Sequence, residues 1–366
     1  MRPIQAPPPT RLEPAPARAR DTLIRLVSDL LRRSWSKVDA THYLDDYEAS
    51  QWLPPTALRG LQLAKLRRLV WHCFLHVPWH APRIGAAIQP SHIERLDGLQ
   101  ALPIARAEER RDAKAFVATT KERVGELRRT WGTRGAPDPV IVDVDSVERQ
   151  IAVRRRAEGW AGARAGKLVA VWGRDSLREP RALDGAELAA LLVALARVRG
   201  AVVSGPGPSL GTLADRVSGG DANGDGANGV GARSGIAGVL DRLIAGRRVN
   251  AVIARGEDPD GGGARLAEAF GARLHRWYGA AEVGLIAASC DRSLHGAALH
   301  VNADHLIVEI VDDAGRVVPP GARGRILVTD LHNFAAPYLR HELGDRGRLL
   351  AAPCSCGRAL PLLELG

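Results

Sequence analysis

Trp277-Tyr278-Gly279-Ala280-Ala281-Glu282-Val283-Gly284 is the stretch on which this chain's fold turns, together with Pro337-Tyr338-Leu339-Arg340-His341-Glu342-Leu343-Gly344-Asp345 downstream. The first sets an aromatic ring, a glycine and a carboxylate in one short turn. Such a ring offers a purine a flat stacking surface, the glycine lets backbone approach it, and the carboxylate can hold magnesium on phosphates. The second ends in a Gly-Asp turn whose Asp345 can grip ribose hydroxyls. Upstream lies Arg129-Thr130-Trp131-Gly132-Thr133-Arg134-Gly135-Ala136-Pro137, rich in hydroxyls and glycine. Its backbone N–H groups and hydroxyls suit phosphate oxygens, although it lacks the Gly-Lys-Ser/Thr ending of the common ATPase phosphate loop.

Taken in chain order, the hydroxyl-glycine loop, Gly256-Glu257, the Tyr-Gly-x-x-Glu turn and the Gly-Asp turn resemble the motifs of adenylate-forming enzymes. Those enzymes join a carboxylate to ATP, giving an acyl-AMP and pyrophosphate. Flanking segments narrow the resemblance to the phenylacetate-coenzyme A ligase-like branch, which includes CapK-like proteins. Ser50-Gln51-Trp52-Leu53 and Leu66 to Pro78 look like its helical opening. Ile104-Ala105-Arg106 with Arg110-Arg111-Asp112 looks like its approach to the phosphate loop. Pro208-Ser209-Leu210, Leu213-Ala214, Gly321 to Thr329 and Cys354-Ser355-Cys356-Gly357-Arg358 with Pro361 complete the match, which covers residues 42–366.

The resemblance implies an α/β fold, the large N-terminal domain of that superfamily: layered, mostly parallel sheets flanked by helices, with a small β-rich portion over 285–366. An extension and helix, 1–41, would precede it. By the same resemblance Thr130, Gly132, Thr133 and Gly135 occupy phosphate-loop positions, with the hydroxyls of Thr130 and Thr133 as catalytic donors. Gly256 and Glu257 lie near the adenine, Tyr278 stacks on it beside Gly279, and Glu282 holds magnesium. Asp345 takes the ribose, and Arg340 belongs to the nucleotide contacts. The implied activity is ATP- and magnesium-dependent activation of an organic carboxylate, with coenzyme A as an acceptor; the alternative is a nucleotide-binding pseudoenzyme acting through a partner protein. Trp131, Arg134, Ala281 and His341 depart from the family pattern. No lysine follows Lys167, so adenylation is expected to be slow unless another polypeptide supplies the charge-neutralising lysine of the family's mobile C-terminal domain.

Four cysteines occur, and Cys290, Cys354 and Cys356 fall in the nucleotide half. Clustered cysteines in a cytoplasmic protein bind metal more readily than they form disulfides. The Cys354-x-Cys356-Gly knuckle, with Cys290 and His300, supplies the four soft ligands of a closed, structural zinc site, His295 being the rival fourth ligand. Cys73, on an apolar helix, reads as core, and His72, His76 and His80 read as packed or surface histidines.

Composition sets the outer bounds. With 366 residues, 45% apolar and 25% charged, the chain can bury a substantial core. Met1 to Arg20 is rich in Pro, Ala and Arg without the apolar core of a secretory signal, which predicts cytoplasmic residence. Leu188 to Ala196, the longest apolar run, is too short to span a bilayer, so no membrane role is expected. The formal charge of +10 comes from scattered arginines without interleaved aromatics. It predicts attraction of anionic substrates and no nucleic-acid partner.

Arg20 to Arg33, Gln62 to Phe74, Val147 to Ala157, Gly185 to Arg197 and Ile236 to Ala245 read as helices. They alternate with β-branched runs at Val140 to Val142, Leu168 to Val171, Ala201 to Val203 and Ala251 to Ile253, a pattern that predicts a layered, mostly parallel sheet. Leu306 to Val311 and Arg325 to Val328 bracket a turn at Asp313-Ala314-Gly315 and read as a hairpin. Val217 to Ser234, dense in Gly, Asn and Asp, cannot bury enough surface to offset its ordering entropy and is expected as a disordered loop. Its Asp221-x-Asn223-x-Asp225 fragment lacks the terminal Glu of a calcium loop.

Overall fold

The computed structural model describes residues 41–111, 113–120, 124–130, 139–163, 168–170, 183–218, 246, 249–293 and 297–366. The helices expected over 20–33 and 236–245 and most of the glycine-rich segment lie outside the described residues.

Helices α1 (Thr41–Ser50), α2 (Pro55–His76), α3 (His80–Ala87) and the short α4 (Ala113–Phe116) open the described chain. Strands β1 (Val124–Arg129) and β2 (Pro139–Asp143) form an antiparallel pair of their own. Helix α5 (Val144–Trp160) follows directly, its first turn capped by Asp143, whose carboxylate accepts from the Ser146 N–H at 2.7 Å. Then come β3 (Leu168–Ala170), α6 (Gly185–Arg197), β4 (Ala201–Pro206), α7 (Gly207–Val217), β5 (Val249–Arg255), α8 (Gly262–Phe270) and β6 (Arg273–Ala280). A capping box between Asp184 and Glu187 fixes the start of α6. The chain ends in β7 (Gly284–Ala288), β8 (Ala298–Val301), β9 (Leu306–Val311), β10 (Gly324–Asp330), β11 (His341–Leu349) and β12 (Leu362–Leu365).

Strands β3 to β12 make one ten-stranded sheet in the order β3-β4-β5-β6-β7-β8-β12-β11-β10-β9. From β3 to β6 all pairs are parallel, as right-handed crossovers through helices require. From β6 onward every pair is antiparallel. The α/β class is as expected, with two adjustments. The run at 140–142 leaves the main sheet and pairs antiparallel with β1. The β-rich C-terminal portion is the continuation of the same sheet, with the expected hairpin at β9 and β10.

Helices cover both faces. Leu188, Leu191 and Leu195 of α6, Leu210 and Leu213 of α7, and Leu266 of α8 pack against Val203 and Val252. Gly262 and Gly207 bring α7 and α8 into near-backbone contact: a Cβ on Gly262 would stand 2.6 Å from the Gly207 carbonyl oxygen. On the opposite face Ala157 and Trp160 of α5 pack over Ile253, Trp277 and Ile286. Helix α2 contributes Leu66, Leu69, Val70 and a fully buried Cys73 to a third cluster with Ile307, Leu331 and Leu339.

A buried polar lock fastens the N-terminal helices to the sheet. Arg156, fully buried on α5, pairs with the fully buried Asp304, donating to Oδ1 at 3.0 Å, to Asn302 Oδ1 at 2.8 Å and to the Tyr47 carbonyl at 2.7 Å. Lys65 of α2 donates to the Asp304 carbonyl at 2.6 Å, and Tyr47 Oη lies 2.9 Å from His305 Nδ1. No helix among the described residues is long and apolar enough to cross a membrane.

Candidate functional site

The β6–β7 turn is built by glycine. A Cβ at Gly279 would stand 2.6 Å from the Gly284 carbonyl oxygen, and Gly284 itself has φ 74°. Into this turn Tyr278 brings a nearly buried ring, and its hydroxyl donates to Asp345 Oδ2 at 2.8 Å on β11, across 67 residues of sequence. Gly256, with φ 66° at the end of β5, donates its N–H to the Trp277 carbonyl at 3.1 Å. This sets the exposed Glu257 beside the same turn. Three of the sequence motifs therefore converge where parallel strands β5 and β6 end, the place at which open α/β sheets take ligands.

The strand that precedes the fourth motif is tied to them by Arg128, which the sequence motifs leave unmarked. From β1, Arg128 donates to Gln150 Oε1 on α5 at 2.7 Å and to the Ala281 carbonyl at 3.5 Å, tying the strand that leads into the hydroxyl-glycine loop to the turn carrying Glu282. Thr130 follows the end of β1; Gly132, Thr133 and Gly135 lie outside the described residues. Arg110 lies over the Tyr338 ring at 3.7 Å and the Phe116 ring at 4.2 Å and donates to the Pro337 carbonyl at 3.0 Å. Burial, opposed by Arg110 and reinforced by the charge of Glu282, pushes the Tyr338 phenol up to about 12. Arg110 lies in the segment that resembles the approach to the phosphate loop, whereas Arg128 carried no local signal.

Arg340, expected among the nucleotide contacts, is committed elsewhere. It is 2% exposed, pairs with Glu309 at 3.0 Å, and donates to the carbonyls of Leu102 at 2.6 Å and Gln100 at 3.1 Å. It has a positive φ, 47°, the one such non-glycine residue among those described. Its neighbour His341 is buried edge-on against Tyr338, ring centroids 5.1 Å apart.

Behind the site sit two buried acids. Asp143 accepts the Phe334 N–H at 2.6 Å, and Asp330, fully buried, accepts the His332 N–H at 2.9 Å through one oxygen while the other has no partner among the described residues. Burial, with the Asp143 charge adding to it, pushes the Asp330 carboxyl up to about 7. A carboxyl that ionises near 4 in the unfolded chain and near 7 in the fold stabilises the protein at low pH. That contribution is lost as pH rises from about 4 through 7. Asp330→Asn should therefore raise the melting temperature relative to the parent more at pH 8 than at pH 5; thermal scans at the two values check this, and an equal difference at both would count against it.

The cysteine–histidine set assembles as expected. Ligand atoms of Cys290, His300, Cys354 and Cys356 all lie within 4.8 Å of one another. Cys290 Sγ and Cys354 Sγ are 3.8 Å apart, and Cys356 Sγ is 3.4 Å from His300 Nε2. Metal–sulfur bonds of about 2.3 Å and metal–nitrogen bonds of about 2.0 Å set tetrahedral S···S and S···N edges near 3.8 and 3.5 Å. The thiols are therefore spaced as ligands and too far apart for a disulfide. His300 Nδ1 lies 3.2 Å from the Leu360 carbonyl, which fixes the ring with Nε2 facing the sulfurs. Arg292 N–H donates to Cys290 Sγ at 3.4 Å and Arg358 N–H to Cys356 Sγ at 3.5 Å. His295 lies outside the described residues. His80 is fully buried, and His72 Nε2 lies 2.8 Å from the Phe334 carbonyl, so the histidines near Pro78 are packing residues.

No family model matches the sequence. The chain is 25% identical over 321 residues to a phenylacetate-coenzyme A ligase of Thermus thermophilus, an alignment covering 84% of this chain and 69% of that one. Its fold resembles 2-hydroxyisobutyryl-CoA ligase in the postadenylation state with a bound acyl-AMP, with TM-score 0.66 and 20% identity over 86% of this chain and 68% of that chain. A structure of that ligase with 2-HIB-AMP and CoA superposes with TM-score 0.64 and 20% identity over the same shares of the two chains. An acyl acid amido synthetase shares the fold more distantly, with TM-score 0.56 and 12% identity over 84% of this chain and 68% of that chain.

Proposed function

We propose that this chain is an adenylate-forming protein of the phenylacetate-coenzyme A ligase-like branch, a reading supported by its 25% identity to a phenylacetate-coenzyme A ligase and its likeness in fold to 2-hydroxyisobutyryl-CoA ligase. It binds ATP with magnesium and activates an organic carboxylate as its acyl-adenylate, with coenzyme A as acceptor. The observation that carries this reading is the hydrogen bond between Tyr278 and Asp345, which closes two distant motifs around one sheet end. In it, Gly256 and Gly279 let a base approach the backbone, Tyr278 stacks on that base while its hydroxyl holds Asp345, Asp345 takes the ribose, and Glu282 would hold the metal. Bound magnesium would draw charge from the phosphates as the carboxylate attacks. Arg128 orients the segment entering the hydroxyl-glycine loop, and Gln150 holds Arg128 in place.

The test is acid-dependent exchange of pyrophosphate into ATP. Glu282→Ala is expected to slow exchange by about a hundredfold, the scale of losing one charge-stabilising group. Tyr278→Phe, which removes the bond to Asp345, should weaken AMP binding by about tenfold, the scale of a hydrogen bond to a charged group. Exchange that survives Glu282→Ala unchanged overturns the role given to Glu282.

The reading includes a structural zinc held by Cys290, His300, Cys354 and Cys356, supported by tetrahedral edge lengths and by the N–H···S and Nδ1 contacts that orient the ligands. The set is closed, with four protein ligands, so it serves stability and not chemistry. It docks the C-terminal knuckle on the N-terminal helices: Arg358 Nε and Trp160 Nε1 share Gln51 Oε1 at 2.8 and 3.0 Å.

A further inference from the structure

Polar side chains gather at the ends of the parallel strands. Arg255, the last residue of β5, shares a face with Ala251 and Ile253; its Nε donates to Ser204 Oγ at 2.7 Å, and its guanidinium lies 4.9 Å from the Trp277 ring centroid. Ser204 is fully buried. Trp277 is 5% exposed, yet its indole N–H has no acceptor among the described residues. A buried indole N–H ordinarily finds one. From the flank of α5, Gln150, Arg154 and Glu158 follow one another at four-residue spacing, with Arg154 Nε 3.6 Å from Glu158 Oε1. Burial raises the Glu158 carboxyl, while the charges of Arg154 and Arg255 pull it back.

A pocket for an aryl or alkyl tail gains by presenting apolar surface, and burying polar walls under such a tail costs free energy for each group left without a partner. An acid with an oxygen at its far end reverses that balance, because a guanidinium and an indole N–H both donate. We infer that the acid activated here carries a second oxygen function, a hydroxyl or carboxylate remote from the reacting carboxyl, which accepts from Arg255 and Trp277 beside Ser204. This inference rests on the adenylate-forming reading, whose nucleotide site adjoins Arg255 and Trp277 through Gly256 and Tyr278, and it deepens that reading by naming the substrate class.

The test is calorimetric titration of the full chain, saturated with AMP, with succinate, 3-hydroxybutyrate, phenylacetate and hexanoate. The first two are expected to bind at least tenfold more tightly than the last two. Arg255→Leu, close in volume, is expected to erase or invert that preference while leaving AMP affinity unchanged; Trp277→Phe, which removes the N–H together with part of the ring, should weaken the oxygenated acids about threefold to tenfold relative to phenylacetate. Preference of the parent for phenylacetate or hexanoate, binding of none of the four, or a ratio unmoved by Arg255→Leu overturns the inference while the nucleotide reading stands. Failure of AMP itself to bind overturns both.

Discussion

Asp304→Ala is expected to destabilise the fold by about 3–5 kcal/mol, because it leaves the fully buried Arg156 guanidinium without its counter-charge. The pair lies where α1, α2 and α5 meet the 302–305 segment: Arg156 reaches Asn302 and the Tyr47 carbonyl, Ser50 donates to the Asp304 carboxylate, and Lys65 donates to the Asp304 backbone carbonyl. Removing the carboxylate therefore strands the Arg156 guanidinium and the Ser50 hydroxyl together. Two comparisons separate charge from packing. Asp304→Asn keeps an acceptor and should cost less than Asp304→Ala. The double change Arg156→Met with Asp304→Leu removes both charges and should recover much of the loss, since buried ion pairs are often replaceable by well-packed apolar side chains. Chemical denaturation of the variants measures all three, and an Asp304→Ala protein within 1 kcal/mol of the parent, by about the scale of an ordinary hydrogen bond, would refute the assignment.

Removal of the metal should be comparably severe. Protein purified under reducing, chelator-free conditions is expected to carry one zinc per chain. Cys290→Ser and Cys354→Ser should each lose it, lowering the melting temperature by roughly 10 °C, because a ligand bound to the native state alone stabilises it by its binding free energy. A neutral hydroxyl is a far poorer zinc ligand than a thiolate. The knuckle also carries Arg358, which stacks on Trp160 at 4.8 Å and Trp52 at 5.1 Å, so its loss should loosen α1 as well as the 354–360 segment. Hydrogen exchange that rises in both places would locate the damage. Zinc near zero in the parent, or a melting temperature unmoved by Cys354→Ser, would refute the site.

Much of the fold is legible in residue order because its signals are local. The helix predicted over 185–197 coincides with α6, since Asp184, Glu187 and the spaced leucines act within one element. The strand at 201–203 extends to Pro206 and is buried along its whole length, as a continuous apolar run in a parallel sheet should be. The run at 140–142 misled for the opposite reason: as a short strand it looks like its neighbours, and whether it joins the main sheet or pairs with β1 depends on partners elsewhere in the chain.

The sequence by itself determined the α/β class and pointed to Tyr278, Gly279, Glu282 and Asp345 and to the cysteine–histidine set, because turn chemistry, periodicity and ligand softness are properties of residue types and spacing. Only the tertiary structure decided that Tyr278 bonds Asp345, that Arg340 is spent on Glu309 and two carbonyls, that Arg128 and Gln150 brace the turn, and that His300 faces the sulfurs. An arginine's role follows from which acceptors the fold leaves within reach. That is set by packing between segments hundreds of residues apart, on which local sequence carries no information.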